Sequence, residues 1–266
     1  MAATATRPEL EQGGAPARRQ LRLVRILIVT AGVCAFAWSI FVIRLYRAEA
    51  VFVNPASGIL AGDRFNPQQL AVLSQQIEAA PVGSLRSEAL SDIAIIRLRL
   101  AEVAVQSGDA HLAAGALDKL QVAVAAAIQG SPTSSFMWLT DYWVRGVRSG
   151  NPIAGLKSLS LSYGLGANEG WIAVRRNPLA LSAFTSLPDK VGQQVLTEFA
   201  GLVRSGFYEQ ASDILAGTGG IVRDRLLNGL VQVDDNDRRR FARALESKGL
   251  GNIAVPGVEV RSSRPF

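Results

Sequence analysis

The chain has 266 residues, 48% of them hydrophobic, with 28 basic against 22 acidic side chains and a formal net charge of +6. One histidine and one cysteine exclude an internal disulfide and a Cys-based or His-rich metal site, and no cofactor is expected. They also leave no convincing Ser-His-Asp or Cys-His arrangement, so the chain is not expected to be an enzyme.

The N-terminal region comes first. Met1 to Gln20 holds Gly13-Gly14, Pro8 and Pro16 with few large apolar residues, too little to bury a core. Residues 1–25 therefore read as a disordered basic tail, with five arginines against Glu9 and Glu11. That tail alone supplies a net +3, half of the total. The remaining charge is scattered without a basic run interleaved with aromatics, so nucleic acid is not an expected partner.

Ile26 to Ile43 reads ILIVTAGVCAFAWSIFVI, without a charge. As a helix it covers about 27 Å, close to the thickness of a bilayer core, and a single transmembrane helix over residues 26–43 is predicted. The heavier arginine flank precedes it, which predicts a cytoplasmic N-terminus and an exported remainder. A signal peptide cleaved after Ala50 is the competing reading, since Ala48-Glu49-Ala50 offers a small-residue site. Against it, the apolar stretch is long for a signal, and Arg44 and Arg47 separate it from that site. Cys34 lies within the span as a small apolar residue. Arginine outnumbers lysine 24 to 4, a bias of GC-rich bacterial genomes, which makes the membrane an inner membrane and the exported side a periplasm.

Residues 44–65 read as a juxtamembrane linker in which Asn54-Pro55 forms a turn. From 66 to 250 the pattern is helical, and strand signals are weak. Asn-Pro at 66–67, 151–152 and 177–178 predicts three helix starts, because Asn caps orphan N–H groups and Pro suits the first helical position. Val105-Gln-Ser-Gly108, Val147-Arg-Ser-Gly150 and Val203-Arg-Ser-Gly206 predict helix ends with a left-handed glycine. Five residues beyond each stands a small residue (Ala113, Gly155, Ala211) that would let a second helix pack closely. The aromatics Phe136, Trp138, Tyr142 and Trp143 concentrate in one helix and read as core. Later stripes are Val191, Val195, Phe199, Leu202 and Val203, then Val222, Leu226, Leu227, Leu230 and Val231, then Phe241, Ala244 and Leu245. Asp234 and its acidic neighbours are expected to cap the last of these helices. Residues 251–266 read as a disordered tail in which Gly257 would tolerate valine with almost no effect.

Leu100-Ala101, Gly108-Asp109 and Ala113 resemble the tetratricopeptide pattern over about one repeat, without its aromatic positions. The resemblance implies an all-α fold, a helical-hairpin solenoid presenting a groove to a protein or polymer. The glycine spacings of the three units depart from that family's 34-residue period, and ordinary helical hairpins are the competing reading.

The most distinctive stretch is Ala167 to Leu181, ANEGWIAVRRNPLAL. Asn168 would cap a short helix, placing Trp171 and Arg175 four apart on one face, within cation–π reach. Trp171, Arg175 and Arg176 are the candidate partner-binding residues, facing an acidic protein segment or anionic polysaccharide. The opposing reading makes Trp171 core and uses the arginines on helix-end carbonyls or nearby acids. The stretch is similar to segments of membrane-anchored helical proteins associated with bacterial envelope polysaccharide production. Read so, the chain is a scaffold of envelope or exopolysaccharide biogenesis, with envelope proteins or the polymer as partners. The alternative is an accessory protein or weak enzyme of polysaccharide metabolism using two carboxylates from Glu169, Asp189, Glu198 and Asp234-Asp235. His111 reads as a solvated surface residue.

Overall fold

The computed structural model describes residues 14–80, 83, 85–167 and 169–259. Among them the protein is all-helical, with no strand. It divides into two units, 1–53 and 54–266.

The first helix, α1 (Gly14–Ala61), is continuous over 48 residues. Within it Leu23–Arg44 is long and apolar enough to cross a membrane, and none of it is buried by protein. Ile26, Phe36 and Trp38 stand 63%, 69% and 67% exposed, as side chains facing lipid would. Helix replaces two expected irregular regions. It begins at Gly14, inside the tail read as disordered, and it runs through the linker and Asn54-Pro55 to Ala61. Asn54-Pro55 makes no turn, and Pro55 lies inside α1. Its ring removes one interior N–H, and the burial of Ala56 and Ile59 beside it helps hold the helix across that gap. Residues 1–13 lie outside the described residues.

In the second unit, helices α2 (Pro67–Ala79), α3 (Ser87–Gln106), α4 (Ala110–Gly130), α5 (Ser135–Ser149) and α6 (Leu156–Leu165) come first. Then follow α7 (Gly170–Ser182), α8 (Asp189–Arg204), α9 (Tyr208–Ala216), α10 (Arg223–Gly229) and α11 (Asp235–Ser247). Asn66 starts α2 as expected. Its side chain accepts from Gln69 N at 2.8 Å while Gln69 returns a bond to Asn66 N at 2.9 Å, a reciprocal capping box. Asp109 caps α4 through His111 N and Leu112 N, and His111 is exposed. Asp234 caps α11 through Asn236 N.

The other two Asn-Pro pairs do not start helices. Asn151 turns its carbonyl oxygen onto Ile153 N at 2.9 Å, closing a local turn, and α6 begins only at Leu156. Asn177 and Pro178 lie inside α7, because the Asn177 side chain points inward and bonds the neighbouring helix instead of its own N-terminus.

Gly108, Gly150 and Gly206 have φ of 76°, 64° and 84°, the left-handed turn the repeated motif predicts at the ends of α3, α5 and α8. The small residue that follows works differently in each unit. Gly155 lets the start of α6 lie directly on α5, since a Cβ there would be 2.9 Å from Tyr142 Cα. Ala211 is fully buried in α9, whereas Ala113 in α4 is half-buried. The pairs α3–α4 and α5–α6 pack along each other, but α9 packs chiefly on α11.

α4 is also long and apolar enough to cross a membrane, as Leu23–Arg44 is. α4, however, buries Leu117, Leu120, Val124 and Ala127 in the domain and pairs Asp118 with Arg148 and Lys119 with Glu78. It is a packed helix with a solvated, charged face.

The stripe of α8 is wholly buried. The next one breaks: the chain tightens into 3-10 turns at Thr218–Val222 and Leu230–Gln232, flanking α10. Three residues per turn instead of 3.6 rotate Val231 outward, 56% exposed, and bring Val233 into the core. Phe241, Ala244 and Leu245 are buried, Phe241 meeting Phe199 edge to face. The stretch 251–259 is ordered against α11: Val255 is buried, Arg238 donates to Pro256 O at 2.6 Å, and Gly257 has φ of 72°. Residues 260–266 lie outside the described residues.

Gly257 is therefore no neutral position. Both Gly206→Val and Gly257→Val force a β-branched residue to positive φ, and each is expected to cost about 1–3 kcal/mol. Thermal unfolding of the two variants should show comparable losses. An unchanged melting temperature in Gly257→Val would mean that its turn is not formed.

Candidate functional site

The predicted stretch straddles two environments. α7 begins at Gly170, and Asn168, its expected cap, lies outside the described residues. Trp171 is 44% exposed, its ring 5.1 Å from that of Phe136 on α5. Arg175 lies 5.9 Å over the same Phe136 ring and donates to Ile59 O and Leu60 O, at 3.3 and 3.0 Å. Those carbonyls close the C-terminal end of α1, where a cation offsets the negative end of the helix dipole. Arg175 thus lies over the buried Phe136 instead of pairing with Trp171, and only Trp171 of the three is well exposed.

Arg176 lies elsewhere. The periodicity of α7 puts it on the face of Ile172, Ala173 and Ala180, and it is completely buried. Its five N–H donors are all engaged. Nε and Nη2 reach Glu198 Oε1 at 2.9 and 2.5 Å, and Nη2 also reaches Gly166 O at 2.8 Å. Nη1 donates to Ser162 O at 2.7 Å and to the hydroxyls of Ser162 and Ser135 at 3.2 and 3.1 Å. The guanidinium carbon lies over the Tyr163 ring, 4.2 Å from its centroid. Arg176 ties α5, α6 and α8 to α7, and a partner cannot touch it.

Glu198 is equally committed. Its Oε2 accepts from the Tyr163 hydroxyl at 2.7 Å and from Asn177 Nδ2 at 3.2 Å. Asn177 Nδ2 also donates to Val195 O, while its Oδ1 is buried without a partner. This cluster was missed in the sequence, yet a signal was there. Glu198 falls seven after Val191 and three after Val195, on the apolar stripe itself, and a charge in such a stripe marks a buried partner.

Burial holds the Tyr163 hydroxyl well above its usual range, and the adjacent Glu198 carboxylate adds to the shift. An unfolded tyrosine ionises near pH 10, so below that pH the folded state keeps the full benefit of a neutral Tyr163. Above it the unfolded chain loses a proton that the folded chain retains, and stability falls. Denaturant midpoints between pH 8 and 11 should drop more steeply for the parent than for Tyr163→Phe. Parallel curves would show that Tyr163 ionises freely.

On the outer side of this cluster a groove of about 600 Å³ runs along α8, bounded by Lys190, Gln194, Thr197, Gly201 and Arg204. Ala167, Gly170 and Ala173 make its opposite wall, with Phe207 near one end. Glu169 and Asp234, proposed above as carboxylates for catalysis, are both exposed. No group of three or more His, Cys, Asp or Glu placed to hold a metal occurs among the described residues.

Comparison of the chain with protein-family models, with curated proteins and with solved structures finds no match.

Proposed function

We propose that this protein is a single-pass, membrane-anchored helical scaffold acting in bacterial envelope or exopolysaccharide biogenesis. The observation that carries the reading is the uncovered apolar helix Leu23–Arg44 in one chain with an all-helical domain. The arginine-rich N-terminal flank supports a cytoplasmic N-terminus and a periplasmic domain. Within that domain α3–α4 and α5–α6 are read as stacked tetratricopeptide-like hairpins, on the strength of Gly108, Gly150 and Gly155. The polysaccharide pathway rests on the similarity of Ala167 to Leu181 alone. The carboxylate-enzyme alternative has less support, since Glu198 is engaged by three neighbours.

A deletion strain tests this reading. Loss of envelope polymer, restored by the full chain but not by a version lacking residues 23–44, is the expected outcome. Normal polymer in the deletion strain overturns the assignment. For topology, a reporter fused at Gly251 should be active only outside the cytoplasm, and the mature N-terminus should be Met1 or Ala2. A chain beginning at Val51 would make the span a cleaved signal.

A further inference from the structure

The groove along α8 differs from the other clefts in its unspent charge. The larger cleft beside Phe184, about 1170 Å³, is lined by both signs of charge, Arg223 and Arg225 with Asp189 and Asp224. In the α8 groove, Lys190 and Arg204 are exposed and make no ion pair or hydrogen bond among the described residues. The carboxylate at its wall, Glu198, is already neutralised by Arg176. The groove is therefore cationic, and its charge sits at two points.

Lys190, Gln194, Thr197, Gly201 and Arg204 follow one another at steps of four, three, four and three, a single helical face. Fourteen residues of helix set the Cα positions of Lys190 and Arg204 about 21 Å apart. Between them Gln194 and Thr197 reach the surface without a hydrogen bond among the described residues, and both can donate and accept. On the facing wall Ala167 and Ala173 carry only methyl side chains, and the Phe207 ring packs against Gly170. An extended peptide advances about 3.4 Å per residue and covers the same span in six steps.

We infer that the α8 groove binds an extended acidic peptide segment whose two carboxylates stand six residues apart and meet Lys190 and Arg204. The amides of that segment meet Gln194 and Thr197. This gives the scaffold reading a partner chemistry and rests on it only in taking the partner to be a protein.

The test uses the full chain in nanodiscs of zwitterionic lipid and a fluorescein-labelled peptide, Asp-Ser-Ala-Leu-Ala-Ser-Asp. Anisotropy should show saturable binding. K190Q combined with R204Q should weaken it about tenfold, as loss of two rim charges implies. Replacing both peptide aspartates by asparagine should do the same. Lys190 and Arg204 are exposed, so the double variant should melt like the parent. Ala167→Glu, which adds an acid from the opposite wall, provides an independent block. Absence of saturable binding overturns the inference, as does equal affinity in the double variant. Tighter binding of a tetrameric uronate oligosaccharide than of the peptide also overturns it and makes the groove a glycan site. Polymer output in the deletion strain is read separately, so the scaffold reading can survive failure of the peptide.

Discussion

Arg176→Ala is expected to cost the helical domain about 3–5 kcal/mol, the range for removing one partner of a buried ion pair. The loss is not that of one contact. Glu198, with its side chain only 5% exposed, would keep a charge with no cation near it, and the carbonyls of Ser162 and Gly166 would lose their donors. Arg176→Lys should recover only part, because an ammonium cannot reproduce the planar fork that engages α5, α6 and α8 together. Pairing Arg176→Met with Glu198→Leu should be markedly less damaging than Arg176→Ala, since neither charge is then buried alone. Denaturant unfolding of the three variants decides the matter. A loss below about 1 kcal/mol for Arg176→Ala, the scale of an exposed pair, would show that water reaches the cluster.

Gly155→Val is expected to cost about 2–3 kcal/mol, near the upper end for forcing extra atoms into a packed interface. A Cβ at 155 would lie 2.9 Å from Tyr142 Cα and 3.0 Å from Tyr142 O. Those are backbone atoms of α5 and cannot swing aside as a side-chain tip would. α6 must therefore move away from α5, loosening Leu159 and Tyr163 in the core. Ala113→Val, at the equivalent place in the preceding hairpin, should cost under about 1 kcal/mol, because Ala113 is only half-buried. Equal melting temperatures for the two variants would remove the close α5–α6 packing.

The periodic parts of this fold were legible in the sequence. The stripe Val191 to Val203 sets one face of α8 against the core, and the glycines at 108, 150 and 206 adopt the left-handed turn their motif implies. Asn-Pro was a poorer guide, since the same dipeptide caps α2 at 66, closes a turn at 151 and lies inside α7 at 177. Local chemistry permits all three, and tertiary contacts choose. The candidate site divided for the same reason. Arg175 and Arg176 are adjacent and chemically identical, and only the 100° rotation between them sends one to a helix end and the other inside. The partners of Arg176 lie 10 to 41 residues away along the chain, beyond the reach of any local pattern.

That separation has a consequence for how the domain forms. Ser135, Ser162 with Gly166, and Glu198 come from three stretches of chain, and none satisfies the guanidinium alone. Until all three are docked, an intermediate must either hold a charge in a half-dry interior or keep the interior open. Partly assembled states between Ser135 and Glu198 are thus raised in energy relative to both ends of the reaction, which sharpens the transition towards all-or-none. In hydrogen exchange the amides of α7 and α8 should then open together, at the free energy of global unfolding, while the outer turns of α2 exchange by local opening. A protein cut anywhere between Ser135 and Glu198 should not retain a folded half.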